Sequence, residues 1–263
     1  MDLNLNGKSV LVTGGNRGIG LAIALAFAAE GANVAICGRD QPALAKAKQD
    51  IEACGVRAVA VAVDLFTASG CERAVAATVE AFGGLDVLVS NASTNIVGQL
   101  ETLTDEQLIE RIMGKTLAAM RLCRAAVAYL RKANGGRIVC IGGTSARSVN
   151  KNSLPSGLGN SSLANFVKHF SNDVAPEGIT VNVIHPPFTK THRYPDRVAA
   201  RAAERGLSLA AAEASFAAEF PIGRVVEPSD IAPMVLFLAS RHASAITGQA
   251  LAIDGGATPY VAY

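Results

Sequence analysis

The chain has 263 residues, 50% of them apolar and 17% charged, enough to bury one large core and too ordered in composition for a disordered chain. Its 24 basic and 22 acidic residues are interspersed and leave a net charge of +2, which excludes the basic footprint of a nucleic-acid or anionic-membrane binder. The longest apolar run, residues 21–29, is far shorter than the roughly 20 residues that a membrane helix needs.

The N-terminus carries Asp2 and passes directly into a strand-like segment, which argues against a secretory leader. Cys37, Cys54, Cys71, Cys123 and Cys140 are odd in number, show no Cys-x-x-Cys spacing and sit in apolar segments. They read as reduced core thiols of a cytoplasmic protein, in which the sequons at Asn91 and Asn160 have no bearing.

Short β-branched runs alternate with Ala/Leu-rich stretches of helical period, the pattern of repeated βαβ units around a parallel sheet. Strands are predicted at residues 9–13, 33–37, 57–63, 86–90, 137–141, 179–184 and 250–253, and helices beginning near residues 18, 42, 68, 104, 156 and 228. No repeat or Pro/Gly-rich linker divides the chain, so residues 1–263 form one α/β domain, a doubly wound parallel sheet with helices on both faces. Residues 192–219, within an insertion of about 188–220 and rich in Ala, Arg and Glu, depart from the alternation and are expected to be helical.

After the first strand comes Gly14-Gly15-Asn16-Arg17-Gly18-Ile19-Gly20, followed by an apolar helix. Glycines permit the tight turn and a close backbone approach, and the helix N-terminus offers free N–H groups and a positive dipole end to a pyrophosphate. The second strand ends in Cys37-Gly38-Arg39, without the carboxylate that grips the 2′-hydroxyl of NAD. Arg17 and Arg39 together suit the 2′-phosphate of NADP. The alternative is two solvated arginines with Asp40 as ribose acceptor and NAD as cofactor.

The spacing Gly14-x3-Gly18-x-Gly20 resembles that of the short-chain dehydrogenase/reductase family, and later motifs agree in order. Asp64-Leu65 is similar to the family's adenine-contacting pair, and Ser90-Asn91-Ala92-Ser93 to its Asn-Asn-Ala-Gly turn. Val181-Asn182 and the segment Pro186-Pro187-Phe188-Thr189-Lys190-Thr191 resemble the part that holds the nicotinamide carboxamide. Phe220-Pro221-Ile222-Gly223-Arg224, Thr247-Gly248-Gln249 and Asp254-Gly255-Gly256 complete the pattern. The resemblance implies a Rossmann fold and cofactor contacts from Gly14, Asn16, Arg17, Gly18, Ile19, Gly20, Arg39, Asp64, Leu65, Asn91, Ala92, Ser93, Ile141, Asn160, Pro186, Thr189 and Thr191. It also implies a homodimer or homotetramer, formed through the long central helices and the C-terminal residues 254–263.

The family's four catalytic positions are altered. Alignment through Gly178-Ile179 and Val181-Asn182 puts its Tyr and Lys at Ser156 and Asn160, and its Ser at Gly143; alignment through Arg124-Ala125 puts its Asn at Lys115. Ser93 and Pro187 replace two further family glycines. Asn and Lys have exchanged helices, so a cation reaches the cleft from the other side; Gly159-Asn160-Ser161-Ser162-Leu163 resembles a segment of a minor branch of the family with a similar exchange.

A serine at position 156 has no pKa suited to proton transfer, so another group must carry the proton. Lys115 is one candidate if desolvated and otherwise a surface or subunit-interface lysine; Tyr194, folded over the site from the insertion, and His185 are others, with a packing tyrosine and a hydrogen-bonded structural histidine as the alternatives. Ser145 and Thr144 could stand in for the absent serine as oxyanion donors, and Lys151 lies in the following Ser/Asn-rich loop. Arg197, Arg201 and Arg205 repeat at i, i+4 and i+8, a basic stripe that would suit an anionic substrate beside the cleft or simply face solvent. Metal-binding, nucleophile-elbow and P-loop signatures are absent from the sequence.

The first expectation is an NADP-preferring oxidoreductase of a small carbonyl or alcohol, with a rearranged proton-transfer group. The alternatives are a non-redox lyase or isomerase on the same scaffold and a cofactor-binding regulator. Retention of Thr191, at the family's carboxamide-binding position, favours the first.

Overall fold

A computed structural model describes residues 1–94, 96–149 and 152–259. Seven parallel strands form one sheet: β1 (Ser9–Thr13), β2 (Asn33–Gly38), β3 (Ala58–Ala62), β4 (Val87–Ser90), β5 (Arg137–Ile141), β6 (Thr180–His185) and β7 (Ala250–Ala252). Their order is β3-β2-β1-β4-β5-β6-β7. The order reverses between β1 and β4, and a parallel sheet opens a crevice at the carboxyl ends of its strands at such a point.

Because side chains alternate across a strand, β1 feeds two cores. Val10 and Val12 pack with α1 (Gly18–Ala29) and α9 (Pro228–Ala239) on one face, while Leu11 packs with α3 (Ala68–Phe82), α5 (Ala118–Lys132) and α6 (Leu154–Val174) on the other. The remaining helices are α2 (Gln41–Glu52), α4 (Asp105–Ile112), α7 (Tyr194–Arg205) and α8 (Leu209–Ala217). None of the described helices is long and apolar enough to cross a membrane.

The predicted strands are all present, with no end displaced by more than one residue. α6 starts at Leu154, earlier than the expected 156, because Pro155 supplies the fixed φ that suits a first helical turn. The stretch from 104 onward is interrupted: α4 and α5 are joined through a π-helical turn, Met113–Leu117, a wide turn that often marks a functional position. The insertion contains two helices, because Gly206 ends α7 in the left-handed region and the Ser208 side chain caps α8. Cys54 corrects the reading of the thiols, since it is exposed while the other four are buried; all five are free.

Candidate functional site

The crevice between β1 and β4 is a cleft of about 620 Å³. Its floor is the glycine turn. Gly14 and Gly18 take φ values of 64° and 57°, which favour glycine. A side chain at Gly15 would run into Ile36, and one at Gly20 into the Gly14 carbonyl oxygen and the Asn91 amide. Arg17 occupies the N-cap of α1 without a side-chain cap bond, and the first turn contains no acid. The leading N–H groups and the positive end of the helix are thereby free for an anion.

Asn91 fastens this turn to β4. Its side-chain amide donates to the Thr13 carbonyl at 2.9 Å, and the Asn91 and Ala92 backbone N–H groups donate to Thr13 Oγ1 at 2.9 and 3.1 Å. Asn16, Ile19, Ala92 and Ser93 join the glycines in lining the cleft.

Arg17 and Arg39 stand exposed at one end, with Asp64 and Leu65 in the wall. Asp40 also borders the cleft, but its carboxylate accepts from Ala43 N at 3.1 Å as the N-cap of α2. Phe66 completes this end, with the Arg39 guanidinium 5.3 Å above its ring. It is a wall residue that sequence reasoning missed, although it directly follows the Asp64-Leu65 pair. The Phe66 ring packs against Gly114 of the π turn, where any side chain would displace it.

At the opposite side Thr189 and Thr191 line the cleft. Thr189 Oγ1 donates to the Pro187 carbonyl at 3.0 Å, and a Cβ on Gly18 would lie 3.4 Å from the Thr191 methyl. Pro187 lines the cleft in place of Pro186; Pro186 is buried, and its carbonyl accepts from Thr144 N at 3.0 Å. Ile141 likewise lies behind the wall, buried at the end of β5.

Lys115, Asn160, Ser145 and Gly143 gather at that end of β5. Lys115 is buried in the π turn and its Nζ donates to the Ile141 carbonyl. Burial, reinforced by the positive charge of Arg111, pulls its pKa down to about 7. Asn160 Nδ2 donates to Ser145 Oγ at 2.9 Å, while its Oδ1 is buried without a partner among the described residues. A Cβ on Gly143 would lie only 2.7 Å from Asn160 Nδ2. The side chain absent at 143 and the amide present at 160 therefore share one space.

Three further sequence candidates are Tyr194, His185 and Ser156. Tyr194 is packed inward, with ring centroids 5.8 Å from Phe188 and 5.9 Å from Phe216, and burial together with the nearby Glu213 carboxylate raises the pKa of its hydroxyl. Its ring packs the insertion against Phe188 and Phe216. His185 Nδ1 accepts from Gly143 N at 3.1 Å, and burial, with Arg147 and Lys115 nearby, lowers its pKa to about 4. It is a neutral imidazole whose Nδ1 fixes the Gly142-Gly143 backbone, while its proton stays on the buried Nε2. Ser156 is half-buried in the first turns of α6.

The arginine stripe divides. Arg197 lines the cleft, Arg201 pairs with Glu219 at 2.6 Å over the Phe216 ring, and Arg205 is exposed. Lys151 lies outside the described residues. Among the described residues no group of His, Cys, Asp and Glu could hold a metal.

Residues 14–258 match the family model described as Enoyl-(Acyl carrier protein) reductase. The short chain dehydrogenase/reductase AacuN of Aspergillus aculeatus is 35% identical over 264 residues, covering 96% of both chains. The structure of L-sorbose reductase from Gluconobacter frateurii, complexed with NADPH and L-sorbose, superposes with a TM-score of 0.95 at 31% identity, over 99% of this chain and 100% of that one. A short chain dehydrogenase from Burkholderia cenocepacia in complex with NADP gives a TM-score of 0.85 at 34% identity, over 96% and 98% of the two chains. The chain belongs to the short-chain dehydrogenase/reductase family, a class of oxidoreductases.

Proposed function

We propose that the chain is an NADP-preferring oxidoreductase of a small carbonyl or alcohol in which Lys115 exchanges the proton. The observation that carries this reading is the buried Lys115, a cation without a carboxylate partner among the described residues, anchored on the Ile141 carbonyl beside Asn160.

The glycine turn and the uncapped start of α1 fit a pyrophosphate, Arg17 and Arg39 a 2′-phosphate, and Thr189 and Thr191 the carboxamide end. NADPH, when bound, supplies the hydride. Lys115 Nζ then gives its proton to the carbonyl oxygen during reduction and takes one from the hydroxyl during oxidation; a pKa of about 7 suits both directions. Asn160 and Ser145, hydrogen-bonded to each other, lie next to it. Solved relatives named for complexes with NADPH and NADP support the cofactor. The α7–α8 segment, carrying Arg197, serves as the substrate loop, and the compartment is cytoplasmic.

The wild-type chain is expected to bind NADPH more tightly than NADH when the nicotinamide's own fluorescence is titrated, an unobstructed signal because the chain has no Trp. Replacing both Arg17 and Arg39 with Ala should remove roughly 10²-fold of that preference, the loss expected for hydrogen bonds to a charged group. A carbonyl panel followed by NADPH absorbance then tests turnover. Absence of binding by either nucleotide would move a non-redox reading to first place.

The assembly is a homodimer or homotetramer. Ile109 and Ile112 on α4 and Leu154 and Leu158 on α6 are 41–58% exposed, and these two helices pack side by side, so their apolar residues form one unpartnered face. Ile109→Glu with Leu158→Glu is expected to lower the sedimenting mass; an unchanged mass would place the interface elsewhere.

A further inference from the structure

Arg111 lies in the last turn of α4 and Lys115 one turn on; both are buried, at 6% and 5% exposure. Neither has a carboxylate partner among the described residues. Two buried like charges stand together at a cost that a purely structural role does not explain.

The other buried arginine of the chain shows what a structural one does. Arg137 places its guanidinium on the carbonyls of Gly135, Gly136, Gly178 and Ser240. Arg111 is different: its Nη1 donates to Ser93 Oγ at 2.6 Å and to the Thr94 carbonyl, while its Nε is buried with no partner among the described residues. Thr94 Oγ1 is orphaned in the same way. The two unused donors thus belong to residues already joined by a hydrogen bond. Ser93 lines the cleft, so the guanidinium stands directly behind the wall. Gly159 on α6 makes room for it: a Cβ there would lie 3.4 Å from Arg111 Nε and 3.6 Å from Lys115 Cβ.

We propose that Arg111, with Lys115, supplies the counter-charge for a substrate carboxylate, which makes small oxo acids and hydroxy acids the substrate class. The inference rests on the redox reading above. A planar fork with an unused donor beside a threonine hydroxyl matches the two oxygens of a carboxylate, whereas the phosphates of a nucleotide are met at α1, Arg17 and Arg39. The groups facing Lys115 are Arg111 from α4, Cys140 from β5 and His185 from β6, none of them an acid. A bound carboxylate is therefore the one negative charge in reach, and it favours the ammonium form when a carbonyl oxygen needs a proton.

The test is calorimetric titration of the full chain, with and without NADPH, using butyrate and butanamide below neutral pH. Butyrate is expected to bind and butanamide not. Arg111→Leu is expected to weaken butyrate about tenfold to hundredfold and Arg111→Lys less, with NADPH affinity and circular dichroism reporting intact folding. Equal binding of acid and amide, no binding of butyrate, or butyrate binding unchanged in Arg111→Leu overturns the proposal. If Arg111→Leu does not fold, the wild-type comparison of acid with amide and the Arg111→Lys titration decide it. Wild-type turnover of 2-oxobutyrate and its methyl ester reads the chemistry separately. Butyrate binding that depends on Arg111, with neither substrate turned over, keeps the site and removes the redox reading. Turnover of the ester at the same efficiency as the acid keeps the redox reading and removes the site.

Discussion

Lys115→Met is expected to bind NADPH as the wild type does and to lose roughly 10²- to 10⁴-fold in kcat, the contribution of a positioned acid or base. Methionine keeps the length of the side chain in its buried place and removes only the amine. Since the lysine pKa lies at about 7, the wild-type reduction rate should fall as pH rises through that value, because the ammonium is the proton donor. The oxidation rate should rise through the same interval. The variant should show neither limb, and an undiminished kcat would remove Lys115 from the chemistry.

The same substitution has a signed effect on stability. The folded-state pKa is depressed from 10.5 to about 7, so between those values the unfolded chain binds the additional proton. Wild-type stability therefore rises with pH across that window and is lowest, on account of this group, below about 7. The methionine variant does not carry this burden, so its advantage should be greatest at low pH, on the order of 5 kcal/mol at most, and should fade as pH approaches the ordinary lysine range. Denaturant melts of both proteins on either side of the window read the difference.

The second large effect is expected at Gly20. An alanine methyl there meets the Gly14 carbonyl oxygen and the Asn91 amide that is bonded to the Thr13 carbonyl. These atoms are backbone or tied to backbone, so the turn itself must move. Gly20→Ala should weaken NADPH by at least roughly 10²-fold through the loss of pyrophosphate hydrogen bonds, and should cost about 1–3 kcal/mol of stability from overpacking. Gly84→Ala is the matched control, because a Cβ there meets nothing within 4 Å and its φ is not in the left-handed region. It should leave NADPH binding unchanged and be neutral or stabilising by up to about 1 kcal/mol. If Gly20→Ala bound NADPH normally, the turn could not be the pyrophosphate cradle.

The alternation of strands and helices was legible because each βα unit carries its own local pattern, and the glycine turn because its spacing follows from backbone geometry. Features set by distant partners were not. The inward packing of Tyr194 depends on Phe188 and Phe216, and the neutral state of His185 depends on its burial and on the nearby Arg147 and Lys115. The π turn has no sequence signature beyond Gly114, whose need for a bare α-carbon comes from Phe66, far back in the chain. The burial of Arg111 left one faint trace, a charged residue four positions before Lys115 with Gly159 on the facing helix. The exchange of Asn and Lys between helices was visible in one dimension, but its coupling to Gly143 required three.

That coupling constrains how the chain can change. A serine reintroduced at 143 would place its Cβ 2.7 Å from Asn160 Nδ2 and would displace that amide from Ser145. Shortening residue 160 first would vacate the space. Steps back toward the usual arrangement are thus not interchangeable: one order passes through a crowded intermediate and the other through a roomy one. A lineage that had acquired both changes would find the route of return gated by sequence of events, a one-way latch made of two side chains.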